Sequence, residues 1–179
     1  MIRIHLERTF NVGPELLWEL VVDPDHYRFW TETFSEGSDF DGDWTKGSAI
    51  RFVREDENGI ESGMLSKIVE SKWPEFISIR HLGMVMNGVI DYDSPLAREW
   101  SPAFENYKFI LKEDGTCIFA IEQDLPLPVE PIKATVSPLF ALNDIFFIKY
   151  SSASGYLNET FLNSTVPLSL VVSLSIVPS

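Results

Sequence analysis

Residues 104–126 read FENYKFILKEDGTCIFAIEQDLP, and this stretch decides the fold class. It contains two strand-like runs, residues 104–112 and 116–124, that are rich in β-branched and aromatic side chains. The Glu-Asp-Gly sequence between the runs supplies a glycine where a tight turn needs a positive φ angle. The stretch therefore predicts two antiparallel strands joined as a hairpin.

The strand pattern extends upstream of this hairpin. Four further strands are predicted, over residues 48–55, 61–71, 76–82 and about 85–92. The Asp-Glu-Asn-Gly turn at residues 56–59 makes the first two of them antiparallel partners as well. Consecutive antiparallel strands predict a meander whose apolar face must be covered by another element.

The first thirty residues add one strand and two short helices. Residues 2–6 alternate apolar and polar side chains, which is the period of a half-buried strand. Pro14 suits the first turn of a helix, whose apolar positions recur at helical spacing up to the Asp-Pro pair at residues 23–24. Asp25 is predicted to cap a second short helix over residues 26–30.

Composition narrows the class of protein and of partner. A chain of 179 residues has the length of one domain. Its formal net charge of -13 argues against nucleic acid and anionic lipid surfaces, because both require a positive field on the protein. A single cysteine, Cys117, excludes an internal disulfide framework, and the amino terminus lacks the apolar core of a signal peptide. We therefore expect a cytoplasmic protein.

The sequence contains no motif for a metal, a cofactor or nucleophilic catalysis. Asp39, Asp41 and Asp43 alternate as in a calcium loop, but the sixth position holds Trp44 where the loop needs glycine, and the glutamate at the twelfth position is missing. The three histidines are too dispersed to suggest zinc. We expect no cofactor and no metal.

Six short motifs follow one another in a characteristic order between residues 3 and 125. They are the strand at residues 3–10, Val12 with residues 14–18, Asp23-Pro24 with Tyr27 and Trp30, Asp43-Trp44 with residues 46–48, the turn at Gly59, and Trp100 with residues 105–107. Each motif is weak alone. In their order and spacing they resemble the START-like superfamily, in the branch related to the activator of the Hsp90 ATPase.

The resemblance implies an α+β helix-grip fold. In that fold a curved antiparallel sheet of about 6–7 strands, with two short helices after strand 1, closes on a carboxy-terminal helix. It further implies that a small hydrophobic or amphipathic molecule binds in the cavity between sheet and helix, without catalysis. The candidate cavity-lining residues are Trp30, Phe52, Met64, Ile79, His81, Trp100, Glu105, Tyr107 and Phe119.

Two other functions remain open. Similar folds serve as polyketide aromatase/cyclases, in which Glu105, Tyr107 or His81 would transfer protons. The Hsp90-related branch suggests a protein partner such as a chaperone, and the acidic surface favours a basic patch on it. Glu105 and His81 also have a plainer interpretation, as hydrogen-bonded structural residues of the sheet. The sequence leaves the ligand and the oligomeric state undetermined.

The resemblance ends near residue 125. Residues 131–179 contain only four charged side chains and no tryptophan, whereas the family's closing helix is amphipathic and rich in Lys and Glu. We expect a START-like domain over residues 1–130, then a divergent or frame-altered segment with a helix over residues 135–150 and an irregular remainder. Its apolar run at residues 166–177 is too short to span a bilayer, so no membrane insertion is expected.

Overall fold

The structure, a computed structural model, describes residues 1–32 and 35–126 and the backbone of residues 171–176. Within these residues there are three helices and nine strands. In chain order they are β1 (Ile2–Phe10), α1 (Pro14–Val22), α2 (Pro24–Thr31), β2 (Ser38–Gly42), β3 (Ala49–Glu55), β4 (Glu61–Lys72), β5 (Phe76–Met86), β6 (Val89–Asp91), α3 (Pro95–Trp100), β7 (Phe104–Leu111), β8 (Cys117–Leu125) and β9 (Val171–Ile176).

The described strands form one antiparallel sheet in the order β2-β3-β4-β5-β7-β8-β1-β9, and β6 pairs with β5. The sheet is curved and does not close on itself. The predicted α+β fold and its antiparallel meander are confirmed. The strands outnumber the 6–7 expected, because β2 and β9 were not predicted. The helix expected over residues 135–150 lies outside the described residues, and the division of the chain at residue 130 stays a prediction.

One face of the sheet, here called the inner face, packs against α1 and α2. Its apolar residues include Ile77 and Ile79 of β5 and Phe109 of β7, all nearly inaccessible to water. Trp18 of α1 reaches the centre of this face, with its ring centroid 5.2 Å from that of Phe109. Burial of such side chains contributes roughly 1.5–3 kcal/mol each and fixes the helices on the sheet.

The junction between α1 and α2 differs from the prediction in its capping residue. The Asp23 carboxylate, and not that of Asp25, accepts the backbone N–H groups of Asp25 and His26, each at 3.0 Å. Pro24 explains the difference, because its fixed φ and missing N–H suit the first position of a helix. The second helix therefore begins two residues earlier than the sequence suggested.

Two elements occur where the sequence predicted no strand. β2 falls within the acidic stretch around Asp39 and Asp41, and Phe40 at its centre pairs with Phe52 of β3. A carboxy-terminal strand, β9, pairs antiparallel with β1 inside the segment expected to be irregular. Its residues alternate apolar side chains with Ser173 and Ser175, a period that suits a strand.

The stretch predicted as one strand over residues 85–92 is a turn between two strands. β5 continues to Met86, and Asn87 and Gly88 both take positive φ angles, 53° and 74°. An Asn-Gly pair with these angles is the preferred two-residue hairpin turn. The segment before β7, for which the sequence predicted no element, contains α3, whose first turn is capped by the Ser94 hydroxyl accepting the Ala97 N–H at 3.2 Å.

Candidate functional site

Four polar residues cross the inner face, one on each of four neighbouring strands. Ser66 of β4 pairs with His81 of β5, and Glu105 of β7 pairs with Gln123 of β8. Because Ile79 pairs with Glu105, His81 lies two residues further along β5 on the same face. These four residues are called the polar row. It divides an otherwise largely apolar surface.

Glu105 is the acid of the polar row. The Tyr107 hydroxyl donates a hydrogen bond to its Oε1 atom at 2.6 Å. Burial raises the pKa of the Glu105 carboxyl, and the hydrogen bond from Tyr107 partly opposes that rise. Burial, and then the negative charge of Glu105, raises the pKa of the Tyr107 and Tyr27 hydroxyls well above the usual range. Both phenols are therefore hydrogen-bond donors at neutral pH.

His81 is the second ionisable member of the polar row. Only 2% of its surface is exposed, and its Nδ1 lies 2.9 Å from the Ser66 hydroxyl. Burial lowers the pKa of the imidazole to about 4, against the opposing effect of the Asp124 charge, so the ring is neutral at neutral pH. The Trp100 ring meets it edge-on with centroids 5.9 Å apart. Among the described residues, the buried Nε2 atom has no hydrogen-bond partner.

An aromatic cluster adjoins Tyr107 on the inner face. Tyr27 of α2 is its centre, with ring centroids 5.0 Å from Phe40 and 6.2 Å from Phe52. Trp44, in the loop between β2 and β3, lies 6.4 Å from Tyr107 and is 9% exposed. Its indole Nε1 is buried and has no hydrogen-bond partner in the part of the chain that the structure describes. The cluster therefore holds a second buried polar atom without a hydrogen-bond partner, on a ring close to Tyr107.

The structure brings seven of the nine predicted site residues to one face of the sheet. Seven lie on inner-face positions of β3, β4, β5, β7 and β8, namely Phe52, Met64, Ile79, His81, Glu105, Tyr107 and Phe119. Trp30 is buried on α2 beside Tyr27, and Trp100 lies on α3 beside His81. That these residues bind a ligand stays a prediction.

The sequence interpretation missed four residues of this region, Tyr27, Trp44, Ser66 and Gln123. Tyr27 and Trp44 were noted among the family motifs, and this was the one signal available for them. Ser66 and Gln123 became visible only through the strand register that places them beside His81 and Glu105.

The acidic loop and the cysteine have structural explanations. Asp43 accepts the Thr45 N–H at 2.8 Å and the Ser48 hydroxyl at 2.9 Å, which closes the turn before β3. Burial raises the pKa of the Cys117 thiol to about 11, so it stays protonated. Across residues 1–32 and 35–126, no group of three or more His, Cys, Asp or Glu side chains is placed to hold a metal ion. No helix in the described residues is long and apolar enough to cross a membrane.

Comparison with known proteins establishes the fold. No protein-family model and no curated protein matches the chain. A protein from Rhodobacter sphaeroides is similar in structure with a TM-score of 0.58 and 18% identity, over 83% of this chain and 88% of its own. The Aha1 dimer from Colwellia psychrerythraea has a TM-score of 0.58 and 14% identity, over 88% of this chain and 99% of its own. An HSP90 activator from Plasmodium falciparum has a TM-score of 0.50 and 14% identity, over 84% of this chain and 94% of its own.

These likenesses confirm, at the level of the fold, the resemblance to START-like proteins seen in the sequence. Structural similarity at such low sequence identity supports a shared fold. It does not determine function, which has to be argued from the residues of the site.

Proposed function

We propose that this protein binds a small hydrophobic or amphipathic molecule on the inner face of its sheet, without catalysing a reaction. One observation carries the proposal. The His81 Nε2 and Trp44 Nε1 atoms are buried on or beside this face with no hydrogen-bond partner among the described residues. A buried unsatisfied donor or acceptor costs about 1–3 kcal/mol, so a bound polar group would recover that free energy.

The surroundings of these atoms suit an amphipathic guest. Ligand sites are concave and mostly apolar, with a few fixed polar groups that orient the guest. Here the sheet is curved, the aliphatic and aromatic side chains supply the apolar surface, and the Glu105–Tyr107 pair supplies a rigid polar contact. The apolar part of the ligand would lie against the aromatic cluster and its polar part against the polar row.

Intrinsic tryptophan fluorescence provides the test. Trp44 lies in the proposed site, whereas Trp73 is 67% exposed at the turn between β4 and β5. We expect lipophilic compounds to change the emission saturably in the wild type and in Trp73→Phe. Trp44→Phe is expected to lose the largest part of that change. A folded protein that gives no saturable response to a broad panel of such compounds would contradict the proposal.

A second candidate is an interaction with a chaperone, and it rests on the structural neighbours. Two of them are described as Aha1 and as an HSP90 activator. The net charge of -13 would favour a basic patch on the partner, and screening by salt would weaken such a contact. Binding to purified Hsp90 that decreases with salt supports this function, and failure to bind Hsp90 at low salt contradicts it.

The enzymatic alternative rests on the Glu105–Tyr107 pair. Ring closure with dehydration needs a proton donor and a proton acceptor placed together, and this pair brings an acid within 2.6 Å of a phenol. However, the Tyr107 hydroxyl and the Glu105 carboxyl are hydrogen-bonded to each other, and His81 is hydrogen-bonded to Ser66. Both arrangements suit fixed recognition groups better than groups that exchange protons with a substrate.

A further inference from the structure

We infer that the ligand of the inner face is an uncharged molecule carrying a hydroxyl group, which binds between His81 and Glu105. The inference rests on the proposed function and adds the chemical class of the ligand. It follows from the hydrogen-bond donors and acceptors of the polar row that have no partner among the described residues.

The contact between Ser66 and His81 determines which imidazole nitrogen carries the hydrogen. The Ser66 hydroxyl is fully buried, and its one hydrogen bond within the described residues is the contact with His81 Nδ1. A buried hydroxyl needs an acceptor for its hydrogen, so Ser66 donates to Nδ1. The hydrogen of the neutral ring then resides on Nε2. His81 therefore presents an unpaired N–H donor, as Trp44 does with its indole.

Glu105, in contrast to His81, presents a hydrogen-bond acceptor. Its Oε1 accepts from Tyr107, and its Oε2 accepts from no side chain among the described residues. His81 and Glu105 are diagonal neighbours on adjacent strands, a relation that places such residues about 7–8 Å apart, with their Cβ atoms somewhat closer. A hydroxyl oxygen between them can accept from the His81 Nε2–H while its hydrogen is donated to the Glu105 carboxylate. One group of the ligand then satisfies both residues.

Other ligand classes satisfy the polar row less well. A carboxylate on the ligand would be repelled by Glu105. Arg8 also lies on the inner face, but its cross-strand partner Phe119 is about 13 Å along β8 from Gln123, so Arg8 does not offset this repulsion. An ammonium group cannot accept a hydrogen bond from Nε2–H. A hydrocarbon would leave the His81 donor unpaired and give Glu105 no further hydrogen bond. A neutral hydroxyl can both accept from His81 and donate to Glu105.

The experiment compares four matched probes by equilibrium dialysis against the full chain at neutral pH. They are 2-naphthol, naphthalene, 2-naphthoate and 2-naphthylmethylammonium, which share one apolar ring system and differ in the polar group. We expect 2-naphthol to bind about tenfold more tightly than each of the other three, the value of one to two hydrogen bonds.

Two variants assign that preference to His81. His81→Leu is expected to reduce the preference for naphthol over naphthalene to within about twofold. His5→Leu makes the same chemical change on the opposite face of the sheet and is expected to retain the preference. If His81→Leu does not fold, Ser66→Ala replaces it. Loss of the Ser66 hydroxyl frees the imidazole hydrogen to move to Nδ1, and we expect a partial loss of the preference, about threefold.

The possible outcomes distinguish failure of the hydroxyl inference from failure of the proposed ligand binding. Equal binding of all four probes, or tighter binding of the naphthoate or the ammonium probe, overturns the hydroxyl inference while ligand binding stands. A preference for naphthol that persists in the His81 variant also overturns it. Failure of every probe to bind contradicts the proposed function itself.

Discussion

The two faces of the sheet differ in how their charged side chains are paired. On the outer face, charged residues pair with one another across strands, as in the contacts of Arg3 with Asp124 at 2.7 Å and Lys108 with Glu122 at 2.6 Å. On the inner face, the polar row is not paired in this way, and His81 Nε2 stays without a partner among the described residues. Polar groups that serve only the fold are expected to satisfy each other.

This difference indicates which carboxylates belong to the fold and which to a ligand. Asp124 is nearly buried, accepts two guanidinium hydrogen bonds from Arg3 and accepts the Phe104 N–H at 3.2 Å. It thereby joins β1, β8 and the start of β7. Glu105 lies in the same sheet, yet a single phenol donates to it and burial raises its pKa. We assign Asp124 to stability and Glu105 to recognition.

The largest expected effect comes from removing the outer-face carboxylate. Asp124→Ala leaves the Arg3 guanidinium and the Phe104 N–H without their acceptor, so we expect a loss of about 2–4 kcal/mol in the free energy of unfolding. Urea denaturation measures it. The more exposed Lys108–Glu122 pair is the control, and Lys108→Met is expected to cost about 0.5–1 kcal/mol. Equal costs for the two variants would contradict the assignment.

A somewhat smaller effect is expected from acidification through His81. The folded chain holds the imidazole pKa at about 4, below its ordinary value of 6.5. The unfolded chain therefore binds the proton first. Stability that is fully present above pH 6.5 is lost as the pH falls toward 4, by about 2–3 kcal/mol.

His81→Gln is expected to remove this contribution from the pH dependence of unfolding, as measured by urea denaturation between pH 7 and 4. His26→Gln, on an α2 side chain that is 40% exposed, makes the same substitution at a more exposed site and serves as the matched control. A His81→Gln slope equal to that of the wild type would show that the imidazole is not desolvated on the inner face.

The smallest expected effect concerns the acid–phenol pair. Tyr107→Phe removes the hydroxyl that donates to Glu105, and we expect a loss of about 1 kcal/mol in stability. The pKa of Glu105 is expected to rise further, because the Tyr107 hydrogen bond is what opposes the effect of burial. Titration of the Glu105 carboxyl carbon by NMR measures that shift. An unchanged pKa would mean that Tyr107 does not bond the ionised carboxylate.

The sequence predicted most of the fold because strand periodicity and turn residues act locally. It missed β2, since the alternating Asp39 and Asp41 resemble a solvated loop, whereas in an edge strand such acids face the solvent and Phe40 turns inward. It also read residues 85–92 as one strand, although the Asn87-Gly88 pair is a hairpin signal. These errors concern the edge and the tip of the sheet, where few neighbours constrain the chain.

The candidate site was predictable only in part. Period-two alternation placed Glu105 with Tyr107 and Ile79 with His81 on common faces, and the structure places all four on the inner face. The Ser66–His81 contact depends on the register between β4 and β5, which includes two irregularities. A single-residue shift in register would move Ser66 to the other face, so sequence alone does not determine this contact.

The most direct test of the central claim, that the inner face binds the ligand, is an NMR spectrum of the tryptophan indole N–H groups with and without saturating 2-naphthol. The chain has five tryptophans, so each signal can be assigned by substitution. We predict the largest shift at Trp44, whose N–H is unpaired in the described structure, and no change at the exposed Trp73. A bound probe that shifts Trp73 and leaves Trp44 unchanged would contradict the claim.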